Sequence, residues 1–321
     1  MVNYFYLRMI KKPTLIVIAG PTAVGKTSMC IELAKHFNCS IISCDSRQFY
    51  RELNIGVAKP NDNELSEVKH HFIGQKSIEN LYSAGEFEVD VINFLKHYFK
   101  SNDLIIMTGG SGMYIDAVCR GLDEIPRDEK VREELNTQYE KYGLEYIQEK
   151  LKKLDPTHYQ SVDIKNPQRI IRAIEVCLTT NKPYSSFLNR SSKKRPFKIV
   201  KILLHLPKNK LHYNIEKRCE IMIKKGLIEE AESLLSKKHY NALNTVGYKE
   251  LFDHFETNTN MEETVNKIIS NTKKYAKRQM TWFKKDDDYY WVNNEDLNVT
   301  KSKIISHIQS CLLYTSPSPR D

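Results

Sequence analysis

The cysteines of this 321-residue chain are spaced neither for a metal nor for a disulfide framework. There are seven (Cys30, Cys39, Cys44, Cys119, Cys177, Cys219, Cys311), an odd number with no C-x2-C pair. They read as reduced, mostly buried thiols, and zinc-finger and disulfide-scaffold classes drop out. No apolar run approaches the roughly 18–20 residues that a membrane span needs. Tyr4–Leu7 is the only apolar stretch near the N-terminus, and neither a signal-peptide h-region nor an A-x-A cleavage signal is present. The expectation is a cytoplasmic protein without a membrane partner. With 40% hydrophobic and 28% charged residues, 12 glycines, 11 prolines and no repeat or low-complexity tract, disorder and collagen are excluded as well.

What is present suffices for two domains, or for one core with a substantial insertion. Formal charge is +9, and it is concentrated: residues 190–285 hold 22 Lys and Arg against 10 Asp and Glu, a net of +12. Such a surface suits a nucleic acid, although basic surfaces also occur without one.

Leu15–Ala19 is a short apolar run ending at Gly20-Pro21, the form of a buried parallel strand entering a turn. Met29, Cys30, Leu33, Ala34 and Phe37 then recur at helical spacing, and Ser40–Cys44 is a second strand stopping at Asp45. Leu104–Met107 is a third strand and Lys198–Leu206 a fourth. Between these two, helical periodicity runs from Arg127 to Leu188, broken at Asp155-Pro156 and Asn166-Pro167. The predicted architecture is an α/β protein, a P-loop-type parallel sheet flanked by helices, with an all-helical domain inserted. Its parts are 13–122 (core, first part), 123–197 (insert) and 198–310 (core completion and C-terminal helices). Residues 311–321, CLLYTSPSPRD, change character abruptly and are expected to be a foreign tail, and Met9 is the expected start.

Gly20-Pro21-Thr22-Ala23-Val24-Gly25-Lys26-Thr27 satisfies G-x4-G-K-[ST] between a predicted strand and a predicted helix. There the glycines let backbone N–H groups converge on phosphate oxygens, the helix N-terminus adds its dipole, Lys26 neutralises charge and Thr27 can ligate Mg²⁺. The loop does not say which phosphate it holds. A nucleotide hydrolase needs an acid closing a later apolar strand, but Leu104–Met107 closes on Thr108. The strand that does close on an acid is the second, so Asp45 lies at the phosphate end of a parallel sheet. Asp45 as a helix N-cap is the plain alternative. His70-His71 lacks a third metal ligand at suitable spacing, and Ser43 and Tyr114 receive no role.

The order of motifs resembles the tRNA dimethylallyltransferase family over residues 13–295. The resemblance rests on GPTAVGKT (20–27), DSRQFYRELNIGVAKP (45–60), GGSGMY (109–114), NPQRIIRAIEV (166–176), KRCEIMIKKGL (217–227), VGYKEL (246–251) and YAKRQMTWF (275–283). Ser111 stands where the family usually has Thr, and the zinc finger of eukaryotic members is absent, so the chain is similar to the bacterial type.

The resemblance implies an enzyme that moves a dimethylallyl group from dimethylallyl diphosphate to N6 of the adenosine just 3′ of the anticodon, in tRNAs reading codons that begin with U. It implies Mg²⁺ as cofactor, an anticodon stem-loop as partner and a monomer. By family position, Gly20–Thr27 hold the diphosphate, Thr27 the Mg²⁺, and Asp45, Lys26, Thr27 and Arg218 carry the chemistry. Asp45, Ser46, Arg47, Gln48, Ser111, Arg132, Gln168, Arg169, Ile170, Ile171, Arg172, Lys277 and Arg278 become tRNA contacts. Gln48 suits an adenine edge. From periodicity alone, Arg218 is a solvated arginine beside Glu220. Residues 167–178 then form an amphipathic helix with Ile170, Ile171, Ile174 and Leu178 inward, and Lys274, Lys277, Arg278 and Thr281 a solvated stripe. Three competing readings remain: an adenylate isopentenyltransferase acting on free nucleotides, a P-loop small-molecule kinase, and a non-catalytic RNA-binding protein.

Overall fold

The computed structural model describes residues 12–123, 125–188 and 192–313. Strands β1 (Thr14–Ala19), β2 (Ile41–Ser43), β3 (His70–His71), β4 (Leu104–Gly109), β5 (Lys198–His205) and β6 (Tyr290–Asn293) form one sheet in the order β3-β2-β4-β1-β5-β6. All its pairings are parallel. Such sheets are covered on both faces, which is why β1 is apolar from Leu15 to Ala19 and buried at every position. The two-residue period of the strand sorts its side chains. Leu15, Val17 and Ala19 enter one core layer with Ile105 and Met107, whereas Ile16 and Ile18 enter the other with Leu104 and Ile106. Each of these branched side chains contributes roughly 1.5–3 kcal/mol by leaving water.

Helix α1 (Lys26–Phe37) packs Met29, Cys30, Leu33 and Ala34 onto the second layer. Further along come α2 (Asp62–Glu67), α3 (Ala84–Tyr98) and α4 (Gly112–Arg120). After β5, the chain forms α8 (Lys208–Lys224), α9 (Leu227–Ser233), α10 (Tyr248–Thr257) and α11 (Met261–Phe283), and α12 (Leu297–Leu313) follows β6. Cys311, the expected start of the tail, lies within a helix. Helix α12 runs to Leu313, Cys311 and Leu312 pack against the second core layer, and Lys198 Nζ donates to the Cys311 carbonyl. Residues 314–321 and 1–11, which include Met9, lie outside the described residues.

Residues 120–193 form a second compact unit, a little displaced from the expected 123–197. Residues 194–197 belong to the sheet unit for physical reasons. Arg195 pairs with Glu88 at 2.8 Å and donates to the carbonyls of Ala117 and Val118, and the Phe197 ring lies 5.7 Å from Phe99. At the neck, Lys193 N donates to Arg120 O at 2.7 Å. The unit contains α5 (Glu129–Leu154, interrupted at Gly143, where φ is 78°), α6 (Pro156–Ser161) and α7 (Pro167–Thr180) around Leu135, Ile147, Leu151, Ile170, Ile171, Ala173 and Ile174. Helix α7 opens on an Asn166 side-chain cap with Pro167 in its first turn. The free cysteines are all buried or half-buried, as expected of reduced thiols.

Candidate active site

The loop 20–25 leaves β1 and delivers Lys26 and Thr27 to the first turn of α1. The Lys26 ammonium turns back over this loop, donating to Gly20 O at 3.0 Å and Pro21 O at 2.8 Å. Burial lowers its pKa to about 8, with Arg218 pushing the same way and the Asp45 carboxylate pulling against both. Asn214 Nδ2 donates to Ala23 O and Asn294 Nδ2 to Val24 O. The carbonyls of the loop are thus taken up by side chains. Ala23 sits at φ 64°, a left-handed conformation an alanine holds only when its surroundings impose it.

Arg218 is not the solvated arginine that periodicity suggested. Glu220 pairs with Lys217 instead, and Arg218 Nη2 donates to Thr22 Oγ1 on the phosphate loop. Burial lowers the Arg218 pKa, and Asp45 opposes the shift. Both cations therefore feel the same carboxylate. Asp45 follows β2 in a turn, not a helix, so the N-cap alternative falls; its Oδ1 accepts from Arg47 N–H at 3.0 Å. The Ser111 hydroxyl ties this turn to the loop after β4, accepting from Ser46 N–H at 3.1 Å and reaching Ser46 Oγ at 3.2 Å.

Gln48 has a different task from the one expected. Its Nε2 donates to Val57 O and Ala58 O, and its Oε1 accepts from Ser43 Oγ. No amide donor is left for an adenine edge, so Gln48 clasps the loop that carries Asp45. The same loop is held from the far side by Glu230, whose carboxylate accepts from the N–H groups of Asn54, Ile55 and Gly56 and from the Tyr248 hydroxyl. A Cβ on Gly56 would stand 2.5 Å from the Tyr248 ring, which explains why a glycine faces that tyrosine. Sequence reasoning missed Glu230, and quoted Gly56 and Tyr248 only inside longer motifs, because contacts across about 175 residues leave no local periodicity. Tyr275 too was quoted only inside a longer motif, with no role. Burial raises the pKa of this phenol to about 12, Asp45 adds to the shift, and a hydrogen bond to Ser111 works against it. Tyr114 packs 5.7 Å from Phe49 and donates to Tyr82 O.

Of the expected RNA contacts, Lys277 and Arg278 are exposed on α11, and Gln168 and Arg169 on the first turn of α7. Ile170 and Ile171 must be removed from that set: at 0% and 1% exposure they are core of the helical unit. Leu178, expected inward, is 39% exposed instead. Arg132 and Arg172 are half-buried and engaged. Arg132 Nε donates to Glu175 Oε2 at 2.8 Å, and Arg172 Nη1 to Glu175 Oε1 at 2.8 Å and to Pro126 O at 3.0 Å.

The family model for IPP transferase matches residues 48–286. This chain belongs to the IPP transferase family. A tRNA dimethylallyltransferase of Flavobacterium johnsoniae is 45% identical over 92% of this chain and 96% of its own length, and one of Christiangramia forsetii is 46% identical over 92% and 97%. Among solved structures, the tRNA isopentenylpyrophosphate transferase of Bacillus halodurans superposes with a TM-score of 0.69 at 32% identity, covering 94% of this chain and 97% of that one. The corresponding enzyme of Staphylococcus epidermidis gives 0.68 at 31%, covering 94% and 100%. The family match begins beyond Asp45 and the phosphate loop.

A metal would find few protein ligands in an IPP transferase built this way. Among the described residues, no group of three or more His, Cys, Asp or Glu side chains is placed to hold one. What the loop offers is a hydroxyl, Thr27, in the first turn of α1. Such a donor set fits Mg²⁺, which keeps several waters and takes its remaining ligands from a phosphate. Among the described residues, no helix is long and apolar enough to cross a membrane.

Proposed function

We propose that this chain transfers a dimethylallyl group from dimethylallyl diphosphate to N6 of the adenosine 3′ of the anticodon in tRNA. The observation that carries this reading is a phosphate loop that bears Lys26 and is gripped at Thr22 by Arg218, with the Asp45 carboxylate near enough to act electrostatically on both cations. In a hydrolase that place belongs to a metal-binding acid and a group that positions water. Here the carboxylate suits an acceptor that must lose a proton.

In the proposed reaction, N6 attacks the allylic carbon, the N–C bond forms as the C–O bond breaks, and pyrophosphate departs with the electron pair. The displaced N6 proton goes to an Asp45 carboxylate oxygen. Charge accumulates on the departing diphosphate, where Lys26, Arg218 and backbone N–H groups of the loop stabilise it. Mg²⁺, held through Thr27 and the diphosphate, supplies further neutralisation when bound. Lys277 and Arg278 on α11, and Gln168 and Arg169 on α7, are the side chains offered to the RNA, while Ser46, Arg47 and Ser111 shape the pocket around Asp45. A free nucleotide has no evident use for the helical unit of residues 120–193, which favours tRNA over adenine nucleotides. A tRNA substrate implies a cytoplasmic enzyme, and a monomer suffices for this chemistry.

The test is mass analysis of an anticodon stem-loop RNA incubated with the protein, Mg²⁺ and dimethylallyl diphosphate. Gain of one C5H8 unit at the expected adenosine supports the reading. Gain on free AMP alone, or phosphorylation of a small molecule, replaces it.

A further inference from the structure

Gln279 lies on α11 directly after Arg278, but it turns inward and is 6% exposed. Its carboxamide is used at both ends. Oε1 accepts from the Thr22 N–H at 2.9 Å, and Nε2 donates to Gly110 O at 2.9 Å. One side chain therefore joins the phosphate loop to the loop after β4. The fit leaves no room for a side chain opposite: a Cβ on Gly110 would stand 2.1 Å from Gln279 Nε2. Thr22 is also held through its hydroxyl by Arg218.

A phosphate loop works only while its peptide planes keep their N–H groups toward the anion, and a flipped peptide would present a carbonyl to the leaving group. In this loop Lys26, Asn214 and Asn294 hold the carbonyls of Gly20, Pro21, Ala23 and Val24. Gln279 takes the Thr22 N–H, which lies on the same peptide plane as the Pro21 carbonyl that Lys26 holds, so that plane is fixed at both edges. We propose that Gln279 is a positioning residue for the prenyl donor, setting the Thr22 peptide and thereby the orientation of the N–H groups that follow it. The proposal rests on the reading of this loop as a diphosphate site. The function requires one acceptor and one donor on the same planar group. Glutamate keeps only the acceptor, methionine keeps the volume and neither bond, and protonated glutamic acid restores both.

The test compares full-length wild type, Gln279→Met and Gln279→Glu. Binding of inorganic pyrophosphate with Mg²⁺ is measured by calorimetry, stem-loop RNA binding by fluorescence anisotropy, and melting temperature as the control for folding. At pH 8 both variants are expected to lose about tenfold or more in pyrophosphate affinity. Their RNA affinity should stay within about threefold of wild type, as expected for a side chain that does not face RNA. Burial raises a carboxyl above its usual value of about 4.3, so lowering the pH toward 5 should bring Gln279→Glu back toward wild type as that carboxyl protonates, and leave Gln279→Met where it was. Lys26, Arg218 and Asp45 are common to all three proteins, and Gln279→Met, which adds no titratable group, controls for the pH dependence they share. Unchanged pyrophosphate affinity in both variants overturns the proposal. So does a Gln279→Glu that follows Gln279→Met at every pH, or parallel loss of pyrophosphate affinity, RNA affinity and melting temperature. A wild type that binds pyrophosphate yet adds no C5H8 to RNA defeats the functional reading and leaves the Gln279 comparison standing. A wild type that does not bind pyrophosphate defeats both.

Discussion

At Glu175 three donors converge on a carboxylate that solvent does not reach: the guanidinium groups of Arg132 and Arg172 and the backbone N–H of Asp128. A buried carboxylate is tolerable only while such donors are in place. Arg172→Ala should therefore cost about 3 kcal/mol in stability of the helical unit, whatever it does to RNA binding. Urea denaturation followed by hydrogen exchange across residues 120–193 would show it. If stability held and RNA affinity alone fell, Arg172 would be a plain RNA contact. Asp45 presents a different case, a carboxylate proposed to take the proton of the acceptor amine. Asp45→Asn should lower kcat by ~10²-fold or more with donor affinity nearly unchanged, because the amide keeps the shape and cannot take the proton. A single-turnover assay at saturating donor is the measurement, and a variant within a few-fold of wild type would remove Asp45 as the base.

Among the elements, the two edge strands escaped sequence reasoning for one reason. β3 and β6 pair on a single side, so His70-His71 and Tyr290–Asn293 need no continuous apolar run. The cost of placing histidine at such an edge is legible in β3. The His71 ring lies 4.4 Å from the Phe94 ring and tilted against it, and its Nε2 is buried with no hydrogen-bond partner among the described residues. Burial lowers its pKa from 6.5 to about 4, and the positive neighbours Lys69 and His70 act in the same direction. The folded state thus favours the neutral ring. Its contribution to stability is complete above about pH 6.5 and declines as pH falls toward 4, where the unfolded chain takes up a proton that the folded chain resists. Comparing urea midpoints at pH 7 and pH 5, His71→Phe should lose less stability on acidification than wild type does. Equal losses would place the acid sensitivity elsewhere.

For the molecule as a whole, the concentration of positive charge in residues 190–285 becomes concrete as exposed side chains such as Lys277 and Arg278 on α11. If they meet phosphates, Lys277→Ala and Arg278→Ala should each reduce the slope of log affinity against log salt for stem-loop RNA by about 1, with kcat at saturating RNA little changed. A slope that does not move would return the stripe to the solvated reading.

The phosphate loop, Asp45 and the α/β order could be read directly along the chain because each is a local pattern. A strand that must be apolar throughout, a turn that needs glycine and a helix start with its cap occupy consecutive residues. The insertion showed itself as a long interval of helical period between two strands. What the chain order could not convey is which polar side chains are spent on the protein itself. Gln48, Arg132 and Arg172 look as suited to RNA as Arg169 does, and only the packed structure shows their donors engaged by Val57, Ala58, Glu175 and Pro126. Ile170 and Ile171, adjacent to Arg169 in sequence, turn into the core because a helix rotates successive residues onto different faces. Glu230 came to light through the fold alone, as did the tasks of Gln279 and Tyr275, which the sequence offered only as members of one motif. Their partners lie some 160 to 260 residues away, and a hydrogen bond closed over that distance depends on where the sheet brings the loops together, which no local pattern specifies.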